Sequence, residues 1–382
     1  MFQEDGSSSG TSSPLQMFPM MSLSPGLTSP YPWLKELKPE ERGLYLIHLL
    51  VTCANHVASG SLENANIALD QISHLASPDG DTMQRIASYF SEALADRILR
   101  TWPGVYKAFR STKISVVAEE ILVKKMFFEF LPFMKVAFVI SNQAIIEAME
   151  GEKMVHVIDL NATEPAQWCA LIRDLSARPE GPPHLRITGI SQQKEVLEQM
   201  AHILIEEAEK LDLPFQFNPV VSKLENLDIE KLRVKTGEAL AISSIMQLHS
   251  LLASNNDVRN RSPSTPINAI DHNGKSLMER LSESLYFYAA LFDCLESALP
   301  RASLERLKME KSLLGEEIKN IIACEGAERK QRHEKLERWN QRFDLAGFGN
   351  VPLSYYAMLQ ARGYCKALTV MVIRSKKKMG AL

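Results

Sequence analysis

A short apolar segment, followed by a helix pattern and a second apolar segment, constrains the fold of this chain more than any other feature. The first segment is Val155-His156-Val157-Ile158-Asp159-Leu160, and the second runs from Leu185 to Ile190. Both are short and rich in β-branched residues, which is typical of strands buried on both faces. Pro165 suits the first turn of a helix, and Gly181-Pro182-Pro183 ends that helix before the second strand. The pattern predicts a strand–helix–strand unit with parallel strands.

The same alternation continues beyond this unit. Strands are expected at 155–160, 185–190, 214–220 and 239–246, and helices near 166–177, 193–211 and 226–234. Repeated strand–helix units favour a parallel, twisted sheet with helices on both faces. We therefore predict an α/β protein with a doubly wound, mainly parallel, Rossmann-like sheet of the methyltransferase-like kind. An N-terminal helical cap and a helical insertion complete the predicted architecture.

The rest of the chain divides into regions of different composition. Residues 1–32 are rich in Ser, Gly, Pro and Met and hold only the charges of Glu4 and Asp5, so we expect a disordered N-terminal segment. One domain is expected over 33–382, divided into a helical cap (33–150), a parallel α/β core (151–252), an irregular loop (253–275), a helical region (276–362) and a divergent tail (363–382). Helices are predicted at 116–129, 134–150, 276–297, 303–323 and 327–345, and a strand at 367–373. Asp81 and Gln84 have the spacing of a capping box.

The loop after the first strand lacks what a cofactor site needs. Asn161-Ala162-Thr163-Glu164 contains no glycine, although a dinucleotide or S-adenosylmethionine has to approach the backbone closely there. The second strand ends at Ser191 and not at the acidic residue that would bind a ribose. None of the common nucleophile, phosphate-loop or zinc-hydrolase motifs occurs either. We therefore predict no cofactor, no metal and no catalytic residues.

Charge, hydropathy and cysteine content limit the partners and the compartment that are expected, and any contact with DNA would have to be local. The net charge is −3, from 43 basic and 46 acidic residues, so no overall electrostatic attraction to nucleic acid is expected. No apolar run approaches the roughly 18 residues that a membrane span needs. The five cysteines are scattered, which favours free thiols in a reducing compartment.

Two polar residues of the first strand have a functional and a structural interpretation. Asp159 ends the strand on the side of the sheet where α/β proteins bind ligands, so it is a candidate polar anchor in a small-molecule crevice. The alternative is a carboxylate that caps a helix or pairs with a cation. His156 lies between two valines, and a hydrogen-bonded core imidazole is favoured there over a ligand.

Two Leu-x-x-Leu-Leu segments are candidate protein-interaction motifs. One contains Leu46, Leu49 and Leu50, and the other contains Leu248, Leu251 and Leu252. One helical turn of this kind places three leucines in the groove of a partner. The alternative interpretation for each segment is a buried helix that packs in the core.

Basic residues cluster in two places. The run from Arg329 to Lys335 contains an acidic residue, and it is interpreted as an exposed helix face. Near the C-terminus, Arg374, Lys376, Lys377 and Lys378 are candidates for nuclear import or phosphate contact. The alternative for this short terminal cluster is a solubilising tail, because few phosphates would be neutralised there.

Taken together, these motifs resemble the plant GRAS family of transcriptional regulators, and within it the scarecrow-like branch. The residues that carry the resemblance are the strand Val155, His156, Val157, Ile158 and Asp159, which is the family's signature segment, and the run Arg178–Gly189. Two leucine-rich blocks, 44–98 and 196–213, and the run Ala346–Ser354 follow the family's order. The resemblance covers most of residues 35–362.

Two departures from the family pattern stand out. A core strand is expected after Leu252, where this chain has the loop Ala253–Asp271. The family also continues past Arg362 into a terminal Ser-Ala-Trp region, which is replaced here by Gly363–Leu382. Loss of a strand and a terminal hairpin exposes apolar surface and strand edges. We therefore expect this chain to be less stable and more prone to aggregation than a complete relative.

The resemblance implies a nuclear regulator of transcription that acts through protein–protein contacts in gibberellin-linked plant development. The partners it implies are other transcriptional regulators, either of the GRAS type or zinc-finger DNA-binding proteins, with homo- or hetero-oligomers as an open alternative. DNA would be contacted indirectly or weakly, and no membrane is involved. One rival is a transcription factor that binds DNA directly and sequence-specifically, which predicts a cluster of Arg and Lys from separate helices. The other is an S-adenosylmethionine-dependent methyltransferase, which the glycine-free loop disfavours.

Overall fold

The structure, a computed structural model, describes residues 31, 33, 36–110, 117–253 and 276–366 of the chain. Several predictions therefore lie outside the described residues. These are the disordered segment except for Tyr31, the irregular loop except for Ala253, the strand at 367–373 and the basic cluster of Arg374, Lys376, Lys377 and Lys378.

Helices make up the described chain before the sheet. They are α1 (Pro39–Ser59), α2 (Leu62–Leu75), α3 (Thr82–Leu99), α4 (Pro103–Arg110), α5 (Val117–Phe130) and α6 (Pro132–Ala148). Gly60 ends α1 at a φ of 75°, a left-handed conformation that glycine adopts without strain. The predicted capping box at the start of α3 is confirmed: Gln84 N–H donates to Asp81 Oδ1 at 3.0 Å, and the Gln84 side chain accepts from Asp81 N–H.

Within the described residues, four parallel strands form the sheet, in agreement with the predicted fold class. They are β1 (Met154–Asp159), β2 (His184–Ser191), β3 (Phe215–Val221) and β4 (Ala239–Ser243), in the order β3-β2-β1-β4. Helix α7 (Ala166–Ser176) connects β1 to β2, and α8 (Lys194–Lys210) connects β2 to β3. The strand–helix–strand unit is therefore confirmed, with Val157 of β1 in register with Ile187 of β2.

The two faces of the sheet differ in what covers them. Val155, Val157 and Ile187 belong to a buried apolar cluster that α7 and α8 complete, together with the end of α6. The opposite face has a smaller cluster of Ile158, Ile190, Val220 and Leu232. In the described part of the chain this second face is covered by short 3₁₀ turns, at Leu224–Asn226 and Ile229–Leu232, where a helix over 226–234 was predicted. That helix prediction is wrong: Asp228 caps only one turn, and Arg233 turns the backbone at a φ of 52°.

The C-terminal helices pack against the N-terminal ones. They are α9 (Leu277–Ala298), α10 (Leu304–Met309), α11 (Glu316–Ala323) and α12 (Leu336–Leu345), followed by a helical stretch at 355–366. A π turn at Glu310–Gly315 joins α10 to α11. Residues of α1–α3, α5 and α6 share one hydrophobic core with α9–α11. The predicted cap and insertion therefore share one helical core, which lies beside the sheet.

One predicted helix is shorter than expected. The pattern predicted helix over 327–345, but residues 329–335 are irregular and α12 begins at Leu336. The Asn320 side chain accepts from the N–H groups of Lys330 and Gln331 at 2.7 and 2.8 Å, so these donors do not enter a helix. Arg332 donates to the carbonyl oxygen of Arg329 at 2.8 Å. Side chains thus hold the backbone of this segment in a non-helical path.

None of the helices within the described residues has the length and apolar character that crossing a membrane requires.

Candidate functional site

The strand order places a crevice at the carboxyl ends of β1 and β4. The chain passes from β1 to β2 on one side of the sheet and reaches β4 on the other side of β1, and α/β proteins bind ligands at such a switch point. A cavity of about 370 Å³ lies here, between the strand ends and the helical core. Asn161 and Thr163 follow β1, Met246 and Gln247 follow β4, and Glu317 belongs to the helical core.

Asp159 is turned into the protein at the end of β1. Its Oδ2 accepts from the indole N–H of Trp168 at 2.8 Å, and its Oδ1 accepts from Asn161 N–H at 3.0 Å. Trp168 is fully buried on α7. Burial raises the pKa of Asp159 to about 6, although both hydrogen bonds oppose this shift. These contacts favour the interpretation of Asp159 as a structural carboxylate that ties strand to helix, over that of a ligand anchor.

The N-terminus of α7 is the position where such a fold holds an anionic group of a cofactor. Here the carboxylate of Glu164 accepts from the N–H of Ala166, the first residue of α7, at 3.0 Å. Ala162 N–H donates to Ile190 O, and the Asn161 side chain donates to Ile245 O, each at 3.0 Å. The glycine-free loop therefore satisfies the helix terminus with its own carboxylate and binds itself to both neighbouring strand ends.

Two titratable groups that line the crevice, Glu317 of the helical core and His249 after β4, have shifted pKa values. Burial raises the pKa of Glu317 to about 7, and its carboxylate accepts from Tyr288 O–H at 2.9 Å. Burial lowers the pKa of His249. Met246 has a φ of 56°, a strained conformation for a residue with a side chain. Across the part of the chain that the structure describes, no disulfide forms and no cluster of His, Cys, Asp and Glu is suited to hold a metal ion.

His156 belongs to a buried polar network on the second face of the sheet. Its Nε2 lies 2.8 Å from Thr188 Oγ1, and its Nδ1 lies 3.1 Å from an Arg186 guanidinium nitrogen. Arg186 pairs in turn with Glu238, whose side chain is also buried. Burial, followed by the charge of Arg186, lowers the pKa of His156. This environment favours the interpretation as a hydrogen-bonded core imidazole.

The structure places the first leucine motif in the helical core and the second beside the crevice, which His249 and Ser250 of that segment line. Leu46, Leu49 and Leu50 are buried in the helical core, so in this conformation they are not available to a partner. Leu248, Leu251 and Leu252 lie half-buried in a 3₁₀ segment at 248–253. Core packing is therefore the interpretation that the structure favours for the first motif, because its leucines supply the face of α1 that holds the bundle together.

A basic groove was not predicted from the sequence. It is a cavity of about 690 Å³ between α9 and the segment 329–338. Its basic lining is Arg280, Arg329, Arg332, Lys335 and Arg338, and its aromatic lining is Tyr286, Phe287 and Tyr288. The prediction that 329–335 is an exposed helix face is wrong, because the segment is irregular and Arg329 and Arg332 are buried. The sequence shows four basic residues between 329 and 335, which could have indicated a basic surface. The non-helical path of this segment, however, depends on Asn320.

Comparison with known proteins gives a consistent result. The model of the GRAS domain family matches residues 46–382. Scarecrow-like protein 3 of Arabidopsis thaliana is 59% identical, with 95% of this chain and 91% of that protein covered. That alignment runs over 440 positions, more than the 382 residues of the chain, so the relative contains stretches without a counterpart here.

Two further matches are more distant. DELLA protein GAI1 of Vitis vinifera is 36% identical, over 84% of this chain and 56% of that protein. The crystal structure of SCL7 in Oryza sativa superimposes with a TM-score of 0.70 at 28% identity, covering 84% of this chain and 89% of the other. The shared architecture confirms the predicted fold class.

Proposed function

Because the chain belongs to the GRAS domain family of plant transcriptional regulators and is scarecrow-like, we propose that it is a nuclear regulator that acts through protein–protein contacts and not as an enzyme. The partners that we propose are other regulators, of the GRAS type or with zinc-finger DNA-binding domains. We place this role in gibberellin-linked development, as the resemblance to the scarecrow-like branch implies. The similarity to a DELLA protein supports that placement.

The N-terminus of α7 supports the non-catalytic part of this proposal. The Glu164 carboxylate accepts the first N–H of α7, at the place where a cofactor's anionic group would bind in this fold. A carboxylate there repels a second anion and fills its hydrogen-bonding position. The loop is further tied to β2 through the Ala162 N–H and to the segment after β4 through the Asn161 side chain.

The basic groove favours a second candidate function, direct binding of DNA. The rival predicted a cluster of Arg and Lys from separate helices, and the basic groove joins Arg280 of α9 to Arg338 of α12. Against it, Arg280 pairs with Glu325, with one nitrogen–oxygen distance of 3.1 Å, so its charge is largely neutralised. The negative net charge of the whole chain also opposes long-range attraction to DNA.

The proposal is tested by binding to promoter DNA with and without a partner. Partners are isolated from plant nuclear extract, identified by mass spectrometry and purified. Fluorescence anisotropy then measures the affinity of this chain for labelled promoter duplex, alone and with each partner. We expect weak, salt-sensitive binding alone and recruitment to the duplex when a DNA-binding partner is present. Tight, sequence-specific binding by the chain alone would overturn the proposal in favour of the second candidate.

A further inference from the structure

We propose that the basic groove binds an acidic peptide segment of a partner protein, with an apolar side chain of that segment packed against Tyr286 and Phe287. This inference rests on the proposed function, because it assigns a surface and a partner chemistry to the protein contacts proposed above.

The charge of the groove complements an acidic ligand. Five of its lining residues are basic, whereas Glu283 and Glu334 are its only acidic lining residues within the described chain. Glu334 is already engaged, since Arg342 donates two hydrogen bonds of 2.7 Å to its carboxylate. Because Arg280 pairs with Glu325, the positive charge of the groove comes from the other four basic residues, on a chain whose net charge is −3. Guanidinium groups in such a setting favour carboxylates, which match their planar donor pattern.

The walls of the groove are held in place before any ligand arrives. On one side, Arg280 on α9 is fixed by its pair with Glu325. On the other, Asn320 fixes the backbone of Lys330 and Gln331, and Arg332 is anchored to the carbonyl oxygen of Arg329. A preformed site loses less conformational entropy when it binds a ligand. The basic side chains thus do not have to be ordered by the partner.

Exposed aromatic side chains supply an apolar anchor beside the charges. Tyr286 is 86% exposed, and Phe287, the next residue of α9, is 41% exposed. A large part of each side chain therefore lies outside the core of the helical bundle. Tyrosine and arginine are enriched at the sites that dominate protein–protein binding energy. The combination of Tyr286 with the neighbouring Arg and Lys residues has that composition.

The shape of the groove favours a peptide over a DNA duplex. Arg329 and Arg332 line the groove yet are only 4% and 3% exposed, so they do not project from the protein surface. A duplex presents rows of phosphates on a wide cylinder and requires several cations that project from the protein surface. A single extended segment is narrow enough to enter a cavity of about 690 Å³. The groove therefore fits a carboxylate-bearing chain.

The test uses the full chain and two fluorescein-labelled peptides. One alternates glutamate with leucine, and the other has glutamine in place of every glutamate. Fluorescence anisotropy is measured for the wild type, for Lys335→Glu and for Tyr286→Ala. The matched control is Lys311→Glu, which reverses the charge of an exposed lysine that does not line the groove. A competing DNA duplex is included.

We expect the glutamate peptide to bind at least about tenfold more tightly than the glutamine peptide, and Lys335→Glu and Tyr286→Ala each to weaken it by about tenfold. Lys311→Glu should bind as the wild type does. Equal affinity for both peptides, unchanged binding by the groove variants, or displacement of the peptide by a lower concentration of duplex would each overturn the assignment. If the groove variants still capture the nuclear partners of the wild type, only the groove assignment falls. If the wild type captures none, the proposed function falls.

Discussion

The helical core and the sheet core of this protein are assembled in opposite ways. The sheet core joins β1 and β2 with α7 and α8, which follow one another along the chain from Met149 to Leu213. The helical core joins α1–α3, α5 and α6 to α9–α11, so that Arg85 contacts Glu310, 225 residues away. The sheet region is therefore a local unit, whereas the helical core forms only when the two ends of the described chain meet around it.

Two buried carboxylates, Glu310 in the helical core and Asp159 at the end of β1, differ in the groups that surround them. The helical core contains an ion network in which Arg85 Nε lies 3.1 Å and Arg306 Nε 3.8 Å from Glu310 Oε1. Glu296 joins both arginines, at 2.7 and 3.0 Å. In the sheet region, Asp159 is buried with hydrogen-bond donors but without a cation among the groups that shift its pKa. Removal of Glu310 is therefore expected to lower the unfolding free energy, whereas titration of Asp159 is expected to make the unfolding free energy depend on pH.

The largest effect is expected from Glu310→Ala in the helical core. Removal of this carboxylate leaves two buried guanidinium groups with only Glu296 as a shared partner, which costs about 3–5 kcal/mol of unfolding free energy. Urea denaturation followed by circular dichroism measures the loss. The control is Glu316→Ala, because Glu316 is itself exposed and its partner Lys319 keeps a second pair with Glu92, so the loss should be less than about 1 kcal/mol. Equal losses for the two variants would contradict the role of the network.

A smaller, pH-dependent effect is expected from Asp159 in the sheet region. Its pKa is raised from 3.8 to about 6 on folding, so the folded state binds the proton more tightly than the unfolded state. Stability from this group is fully present below pH 4 and is lost as the pH rises through about 6, by up to roughly 3 kcal/mol. The measurement is the unfolding free energy of the wild type minus that of Asp159→Asn, from pH 4 to pH 7.5. A difference that stays constant over this range would contradict the buried carboxyl.

The smallest effect on stability is expected at the edge of the sheet. Within the described residues β4 pairs only with β1, and Ile242 on β4 is 58% exposed. Ile242→Lys should change the unfolding free energy by less than about 0.5 kcal/mol, yet it should slow aggregation, because a charge on an edge strand opposes edge-to-edge pairing. Light scattering at raised protein concentration measures this. Ile203→Lys, at an exposed position of α8, is the matched control, and an equal reduction in both variants would count against the edge.

The sequence predicted the elements that depend on local signals and missed the features that depend on contacts with other parts of the chain. The strands at 155–160 and 185–190 were predicted to within one residue, because their apolar patterns and the Gly-Pro-Pro stop are local signals. The strand predicted over 239–246 ends at Ser243, and its continuation is lost where Met246 takes a positive φ. The irregular path of 329–335 depends on the side chain of Asn320, ten residues earlier in one case.

The candidate site was predicted in part. The absence of a cofactor, expected from the glycine-free loop, stays a prediction, whereas the contacts of Glu164 and Asn161 depend on the fold and were not predicted. The basic groove was missed because it forms only when α9 packs beside the segment 329–338. Composition did not indicate the groove either, because the chain as a whole has nearly equal numbers of acidic and basic residues.

The central claim is that this chain's own side chains occupy the position in the sheet where related folds hold a cofactor. Isothermal titration calorimetry with S-adenosylmethionine, at concentrations up to the millimolar range, tests it most directly, with a functional methyltransferase as the positive control. The filled N-terminus of α7 predicts no saturable heat of binding for this protein. Saturable binding of one molecule per chain, weakened by Asp159→Asn at the end of β1, would contradict the account.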